Sequence, residues 1–285
     1  MPNSSREFEY IKPCAQSFKS VLSQVSIGTP NPILGRSNNS AGTYFFKISH
    51  MQHEITQAGP LLNHDGSLAQ KGWAKELLLS YKRSDIKASP FRIKEWDYYC
   101  ILQKDYGIAL TVADNSYMAL YAINVYDFTA NTEITDMVMV PFTMGRLHMP
   151  EHSAHGDTVV NHKKLQMHFT HKIGKRVLDF NFPEFNSGKG IKGHIELEAL
   201  NKDSMVIATP WKEDKWAFYY NQKINCLAAG GEFVIGSEKY SFTPDKALGV
   251  CFTSSKGKGK NSLLPNFALS PTILYRRPAC KCHFS

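Results

Sequence analysis

The stretch WDYYCILQKDYGIALTVADNSYMALYAINVYDF, residues 96–128, decides the fold of this chain. Within it, aromatic and β-branched residues recur along Trp96–Lys104, Gly107–Ala113 and Tyr117–Phe128, and in the last run both the odd and the even positions are mostly apolar. A period of two is typical of β-strands, and the Asp-Asn-Ser run at 114–116 consists of residue types that tight turns favour. The stretch therefore predicts three antiparallel strands that follow one another through short turns.

Downstream, the same period of two recurs as far as residue 250. The runs are Asp136–Met144, Lys164–Lys172, Arg176–Phe182, Ile191–Leu200, Met205–Thr209, Trp216–Cys226, Glu232–Gly236 and Lys239–Thr243. Only Leu68–Tyr81 spaces its apolar residues as a short amphipathic helix does. Long strands at close spacing with one short helix predict a mostly β fold, in which an antiparallel meander forms a barrel or a curled double sheet.

The pattern breaks at both ends of the chain. Residues 1–50 mix Ser, Asn, Pro and Gly without a sustained period, which predicts a poorly ordered extension. Residues 251–285 are basic, rich in Ser, Pro and Gly, and contain no acidic residue. We therefore predict a β domain over residues 51–250, followed by a disordered tail that is not part of it.

The charge distribution argues against a nucleic-acid partner. The formal net charge is +8, but residues 51–250 carry 22 Lys and Arg against 23 Asp and Glu, so the basic excess belongs to the ends. No apolar run approaches the roughly 20 residues that span a bilayer, and the N-terminus lacks the layout of a signal peptide. These features predict a cytoplasmic protein without a transmembrane segment, and they leave the oligomeric state open.

Four motifs resemble a bacterial family known as domain of unknown function 2804. They are Arg92–Tyr99, Gly107–Asn115, Asp203–Pro210 and Ala217–Cys226. The resemblance covers residues 51–250 and implies a lipocalin-like (calycin) barrel, akin to carotenoid hydratases and tocopherol cyclases, without an established activity. Members of the family continue past Val250 with a Gly- and Trp-rich half, so the resemblance also implies that this chain is truncated at its C-terminus.

Three histidines, His148, His152 and His155, have spacings of four and three, which on a helix would place them on one face as zinc ligands. Pro150 and Gly156 break a helix there, so a solvent-facing loop is favoured and no metal is predicted. The chain has no phosphate-binding loop, nucleophile elbow or paired-cysteine zinc motif, and no cofactor is predicted.

The candidate catalytic residues are Asp97, Asp114 and His168. An aspartate that points into the barrel could act as a general acid or base. Both aspartates stand near strand ends and turns, however, where such side chains commonly bond to the local backbone. His168 and His171 are separated by an odd number of residues, so they are expected on opposite faces of one strand.

The candidate ligand-binding residues lie in and before the run Phe218–Asn225. One face of that strand would carry Tyr219, Asn221, Lys223 and Asn225, a set that is costly to bury without partners. Such a face either meets solvent or lines a polar cavity. The nearby Trp211 and Trp216 could form an aromatic wall for a ligand or pack in the core.

Three functional hypotheses follow. The first is a protein that binds or modifies a hydrophobic or amphipathic small molecule in a barrel cavity. The second is a carbohydrate-binding or carbohydrate-processing β protein, and the third is a structural or interaction protein without a small-molecule site. The resemblance to hydratases and cyclases adds acid-driven chemistry to the first hypothesis by fold analogy alone.

Overall fold

The computed structural model describes residues 52–211 and 214–257, and its fold is mostly antiparallel β-structure, as the alternation predicts. The strands, numbered β1 to β15 in chain order, are Gly59–Pro60, Gly72–Ala74, Leu79–Ser80, Ile93–Leu102, Tyr106–Asp114, Met118–Asp127, Thr132–Pro141, Asp157–His162, Leu165–Lys172, Lys175–Phe182, Ile191–Ala199, Met205–Trp211, Asp214–Ile235, Glu238–Phe242 and Leu248–Gly257. Short helical turns occupy Arg83–Asp85, Pro90–Arg92 and Phe185–Gly188. The extension predicted over residues 1–50 lies outside the described residues.

One large sheet curls into a half-barrel with two wings. Its order is β7-β6-β5-β4-β15-β13-β11-β10-β9-β8, with every pairing along this path antiparallel. Strands β4 to β7 form one wing and β8 to β11 the other, while β15 and β13 join them. Sequential strands are neighbours within each wing because two- to four-residue turns connect most of them.

Strand β13 pairs with four other strands of the sheet. Its first part pairs with β12 and β15, and its second part with β11 and β14. A bulge between Ile224 and Leu227, where Cys226 has φ 58°, bends the strand between the two parts. The sequence predicts separate strands over Trp216–Cys226 and Glu232–Gly236, whereas the structure contains one strand that bends.

The main core lies between the wings. Along β9 the inward side chains of Leu165, Met167 and Phe169 are buried, and they face those of β4 and β5 from the opposite wing. Burial of each such side chain stabilises the fold by about 1.5–3 kcal/mol. Both faces of β6 are largely buried, as its apolar composition predicts.

The helix predicted over Leu68–Tyr81 is wrong. The segment forms β2 and β3 instead. Its buried apolar residues, with others between residues 55 and 93, pack against β12 and the start of β13. At Gly72 the chain passes so close to its neighbour that a Cβ would lie 2.1 Å from the carbonyl oxygen of His53. The spacing of apolar residues, on which the helix prediction rests, contains no information about this contact. The contact requires an extended backbone and a glycine.

The last strand extends beyond the boundary that composition predicts. Strand β15 pairs with β4 and β13 as far as Gly257, so the sheet continues past Val250. The rest of the predicted tail lies outside the described residues. Within the described part of the chain, no helix is long and apolar enough to cross a membrane.

Candidate functional site

Strand β4 carries polar groups into the half-barrel. Its inward face presents Glu95, Asp97 and Tyr99 in succession, between the apolar residues Ile93 and Ile101. All three polar side chains are buried, and a buried carboxyl group is costly unless hydrogen bonds or charges compensate it. Each carboxyl group is accordingly the centre of its own polar cluster.

Asp97 is the acceptor at the centre of the first cluster, which we call the Asp97 cluster: Asp97, Tyr99, Thr158, His171 and Thr253. Its Oδ2 lies 2.9 Å from His171 Nε2 and accepts hydrogen bonds from Thr158 Oγ1 at 3.1 Å and the Tyr99 hydroxyl at 3.3 Å. Its Oδ1 accepts a bond from Thr253 Oγ1 at 3.2 Å. The cluster thus joins β4 and β15 to β8 and β9 across the core.

The geometry fixes the tautomer of His171. Nε2 lies close to the carboxylate, so a lone pair there would repel Asp97, and the proton belongs on Nε2. Nδ1 is the other ring nitrogen. It is buried and has no hydrogen-bond partner among the described residues. A buried ring nitrogen without a partner, on a histidine that an aspartate orients through the other nitrogen, matches the arrangement of a general base.

Arg176 and Cys251 also influence the pKa of the Tyr99 hydroxyl. Burial, together with the charge of Asp97, raises the pKa of Tyr99 well above its ordinary value, although Arg176 lowers it. Burial also raises the pKa of Cys251 to about 12, so this thiol stays protonated. Tyr99 therefore remains a proton donor beside His171, at 3.0 Å from Nε2, and Cys251 is not an activated nucleophile.

Arg176 fixes the loop that approaches the cluster. Its guanidinium group is buried and donates to the carbonyl oxygen of Ser153 at 2.5 Å and that of Lys172 at 2.7 Å. The Ser153 hydroxyl donates to Gln222 Oε1. These contacts tie the loop between β7 and β8 to β10 and β13.

Glu95 is the centre of the second cluster. Tyr81 donates to its Oε1 at 2.6 Å, and Arg83 forms an ion pair with its other oxygen. Burial raises the pKa of Glu95, and this effect outweighs the hydrogen bond from Tyr81 and the charge of Arg83. Arg83 also donates to Ser116 Oγ at 3.1 Å, which connects the cluster to the turn after β5.

Asp114 has the local structural role that its turn position allows. Its Oδ1 accepts bonds from the Ser116 amide and the Thr143 hydroxyl, both at 2.7 Å, and its Oδ2 accepts one from the Gly145 amide at 3.0 Å. The carboxylate is buried, but these bonds hold the β5–β6 turn to the loop after β7.

A small cavity of about 30 Å³ is lined by one residue from each cluster, but not by Glu95, Asp97 or His171 themselves. Tyr81, which bonds to Glu95, and Thr253, which bonds to Asp97, both line it. Its other lining residues are Leu77, Pro150, Glu151, Ser153, Tyr220 and Gln222. The wall is half apolar and half polar, and the volume suits a water molecule rather than an organic ligand.

The loop over this cavity has an unusual backbone. Phe142, Met144 and His148 have positive φ values of 53°, 52° and 50°. Side chains other than glycine rarely adopt this conformation, and such residues cluster at functional sites and switch regions. The same loop supplies Pro150, Glu151 and Ser153 to the cavity wall.

The predicted ligand face of β13 lies on the opposite side of the sheet from the Asp97 cluster. Tyr219 stacks on Trp96, with ring centroids 6.1 Å apart, and the Lys223 ammonium group lies 5.2 Å from the Phe252 ring centroid. Asn221 is buried and donates to the Thr253 carbonyl oxygen at 3.3 Å, whereas Asn225 is half-buried. Burial lowers the pKa of Lys223.

The two tryptophans lie at the end of β12 and near the start of β13. The Trp216 indole donates to the carbonyl oxygen of Asp65 at 2.6 Å and so joins β13 to the loop before β2. Trp211 is half-buried at the end of β12. Neither residue lines the cavity beside the Asp97 cluster.

The remaining histidines are scattered. The His152 and His155 rings lie 4.9 Å apart in an exposed loop, and His148 is an exposed turn residue. Among the described residues, no group of three His, Cys, Asp or Glu side chains is arranged to hold a metal ion. His168 is exposed on the outer face of β9, with Nε2 at 2.6 Å from Asp157 Oδ2.

Sequence reasoning selected Asp97 but missed its partners. His171 ends the buried series Leu165, Met167, Phe169 on β9, and a histidine in that register is a signal that the pattern did contain. Thr253 lies beyond residue 250, in the segment that composition assigns to the tail. Asp97 and His171 are 74 residues apart, so only the sheet order brings them together.

Comparisons with known proteins assign the family and give distant structural likenesses. The profile of a family described as Domain of unknown function (DUF2804) matches residues 52–258. Two similar solved structures are a protein described as AttH from Nitrosomonas europaea and kievitone hydratase from Nectria haematococca, each at 10% identity and TM-score 0.39. The matches cover 66% and 70% of this chain, and 58% of each of those chains. No curated protein matches this chain.

Proposed function

This chain belongs to the DUF2804 family, a domain of unknown function, and we propose that it binds and transforms an amphipathic small molecule at the Asp97 cluster. In this proposal His171 Nδ1 is the general base, Asp97 orients the imidazole, and Tyr99 donates a proton. The observation that carries the proposal is the buried, unpartnered Nδ1 of a histidine whose Nε2 is held by a buried carboxylate.

The surroundings support an amphipathic ligand. The apolar core encloses the cluster on the barrel side, while the adjoining cavity combines apolar walls with the hydroxyl and amide groups of Ser153, Gln222 and Thr253. A ligand with one polar group beside a hydrocarbon part would match this division.

Access requires the cavity to widen. Its present volume of about 30 Å³ is far below the ~300 Å³ of the smallest typical ligand pockets. The loop with positive φ values at Phe142, Met144 and His148 borders the cavity, and a change there would enlarge it without disturbing the sheet. In this proposal the loop is the lid of the site.

The reaction class is proton transfer at a carbon or oxygen atom next to the polar group of the ligand. The base removes a proton through Nδ1 and Tyr99 supplies one, so the pair together supports isomerisation, or addition and elimination of water. The predicted ligand face around Tyr219 and Lys223 lies across the sheet and stays a separate prediction.

The test combines binding with turnover. Wild-type protein is screened by thermal unfolding against amphipathic molecules that carry one hydroxyl group, carbonyl group or double bond, because a ligand at 100 times its Kd stabilises the native state by about 2.7 kcal/mol. Binding compounds are then incubated with the protein, and products are followed by mass spectrometry. The proposal predicts at least one compound that both binds and is converted.

Two matched variants assign the chemistry. His171→Gln is expected to keep the thermal shift and to lose conversion, whereas His168→Gln, on the outer face of the same strand, keeps both. If His171→Gln proves unfolded, His171→Asn provides the second variant. Conversion at the wild-type rate by a folded His171 variant, or no stabilisation by any amphipathic compound, would overturn the proposal.

A further inference from the structure

The outer face of the second wing contains a separate concavity. The outward faces of β8 to β11 and of β13 form a trough of about 540 Å³, within the ~300–1,000 Å³ range of small-molecule pockets. Two rows of directly opposed residues cross it. The rows are Val159, His168, Asp179, His194 and Glu232, and beside them Asn161, Gln166, Asn181, Lys192 and Val234.

Neighbouring side chains in the trough hold each other in place. Asn181 Nδ2 donates to Gln166 Oε1 at 3.1 Å, and His194 Nδ1 lies 2.6 Å from Asp179 Oδ1. Asn181 Oδ1 and Asp179 Oδ2 accept no hydrogen bond from the described residues, so both remain available to a ligand. Planar polar groups fixed in this way are preorganised for ligands with several hydroxyl groups.

The charged side chains in and beside the trough limit the class of ligand that it could bind. Asp179 and Glu232 are balanced by Lys192 and by Lys239, whose ammonium group lies 2.6 Å from Glu232 Oε2. A trough with balanced charges attracts neither a polyanion nor a polycation. The lining also offers apolar surface beside these polar groups, so a ligand that fits the trough must match both.

We propose that this trough binds a neutral saccharide. The amide, carboxyl and imidazole groups of the two rows would bond to its hydroxyl groups, and Val159, which is 49% exposed, would contact its C–H faces together with Val234. No tryptophan or tyrosine is among the residues that line the trough, so valines supply the apolar contacts here.

The experiment measures binding of a panel of neutral di- and trisaccharides by calorimetry, with acidic oligosaccharides as the charged comparison. A neutral saccharide should bind, and Asn181→Ala should weaken it by about fivefold to tenfold, as the loss of one or two hydrogen bonds requires. His194→Ala should weaken it similarly. Glu198→Ala is the matched control, because Glu198 is exposed on the same face of β11 but outside the trough.

Asp97→Asn should leave saccharide binding unchanged, and Asn181→Ala should leave any binding of amphipathic molecules unchanged. The trough and the Asp97 cluster can therefore fail independently. Binding of acidic saccharides alone, no binding of neutral ones, or equal affinity in Asn181→Ala and the wild type would each overturn the proposal.

Discussion

Strand β9 carries two histidines that differ chiefly in the face of the sheet on which they lie. His171 Nε2 is 2.9 Å from Asp97 and His168 Nε2 is 2.6 Å from Asp157, so the two pairs are alike in geometry. Their surroundings are opposite: side-chain exposure is 1% for both members of the inner pair, and 50% and 40% for the outer pair. The two histidines are three residues apart on one strand, so their side chains point to opposite faces of the sheet. This accounts for the difference in exposure.

The two pairs differ in how much each is expected to contribute to the stability of the fold. Water competes with the outer pair, and breaking an exposed ion pair has a small effect on stability. The inner pair is shielded from water and bonded to Tyr99, Thr158 and Thr253, so removing Asp97 leaves its buried donors without their acceptor. Only the inner histidine retains a buried ring nitrogen that nothing in the described structure satisfies.

The largest expected effect is that of Asp97→Ala. Four donors, from Tyr99, Thr158, His171 and Thr253, would lose their acceptor, and the free energy of unfolding should fall by about 3–5 kcal/mol. Asp157→Ala removes the same group from the outer pair and should cost no more than about 1 kcal/mol. Urea unfolding followed by circular dichroism measures both, and equal losses would break the comparison.

A smaller effect is expected from Tyr99→Phe. The substitution keeps the ring, which packs edge-on against Phe169, and removes only the hydroxyl group beside Asp97 and His171. Loss of a buried bond to a charged group should lower stability by about 1.5–3 kcal/mol. Tyr240→Phe, which removes a bond to exposed Glu238, is the control and should change stability by less than about 0.5 kcal/mol.

A weaker interaction is expected between His168 and Asp157 in a double-mutant cycle. Their coupling should be about 0.2–1 kcal/mol at low salt and should shrink in 1 M NaCl, where the Debye length is only about 3 Å. Chemical unfolding of the wild type, the two single alanine variants and the double variant gives the value. A coupling that exceeds the cost of Tyr99→Phe would contradict the assignment of this pair to the solvent face.

The smallest effect concerns pH. The hydrogen bond from His168 lowers the pKa of Asp157 below its ordinary 3.8, although burial raises it. Because the folded pKa is the lower one, this contribution to stability is complete above pH 3.8 and is lost as the pH falls through the folded pKa. The stability difference between the wild type and Asp157→Asn should therefore shrink on acidification, and a difference that grows would refute the assignment.

Much of the fold could be predicted from period two, because alternation encodes which face of a strand is buried. The series Leu165, Met167, Phe169 is an example, and β9 and β10 occur close to where the pattern predicts them. The pattern gave no indication that Trp216–Cys226 and Glu232–Gly236 belong to one bent strand, since the bulge at Cys226 depends on pairing with β15. It also missed β8, a short edge strand.

The site was less predictable, because it is made by pairing between distant strands. Asp97 could be chosen as a carboxyl group in an apolar strand, but nothing local to it specifies His171 or Thr158. Composition assigned Thr253 to the tail. The charge and residue types of a segment do not specify the strand with which it pairs, and here that strand is β4. Asp114 was chosen for the same reason as Asp97, yet its partners are turn groups within reach of its own strand end.

The most direct test is a long-range ¹H–¹⁵N spectrum of the protein labelled with ¹⁵N in histidine, with His171→Gln used to assign the signal. The proposed role of His171 as a base predicts that its proton lies on Nε2, and that its Nδ1 signal is the one that moves when a converted amphipathic compound is added. Asp97→Asn should alter this tautomer signal, while Asp157→Asn should not. A proton on Nδ1, or an Nδ1 signal unaffected by a bound compound, would contradict the account.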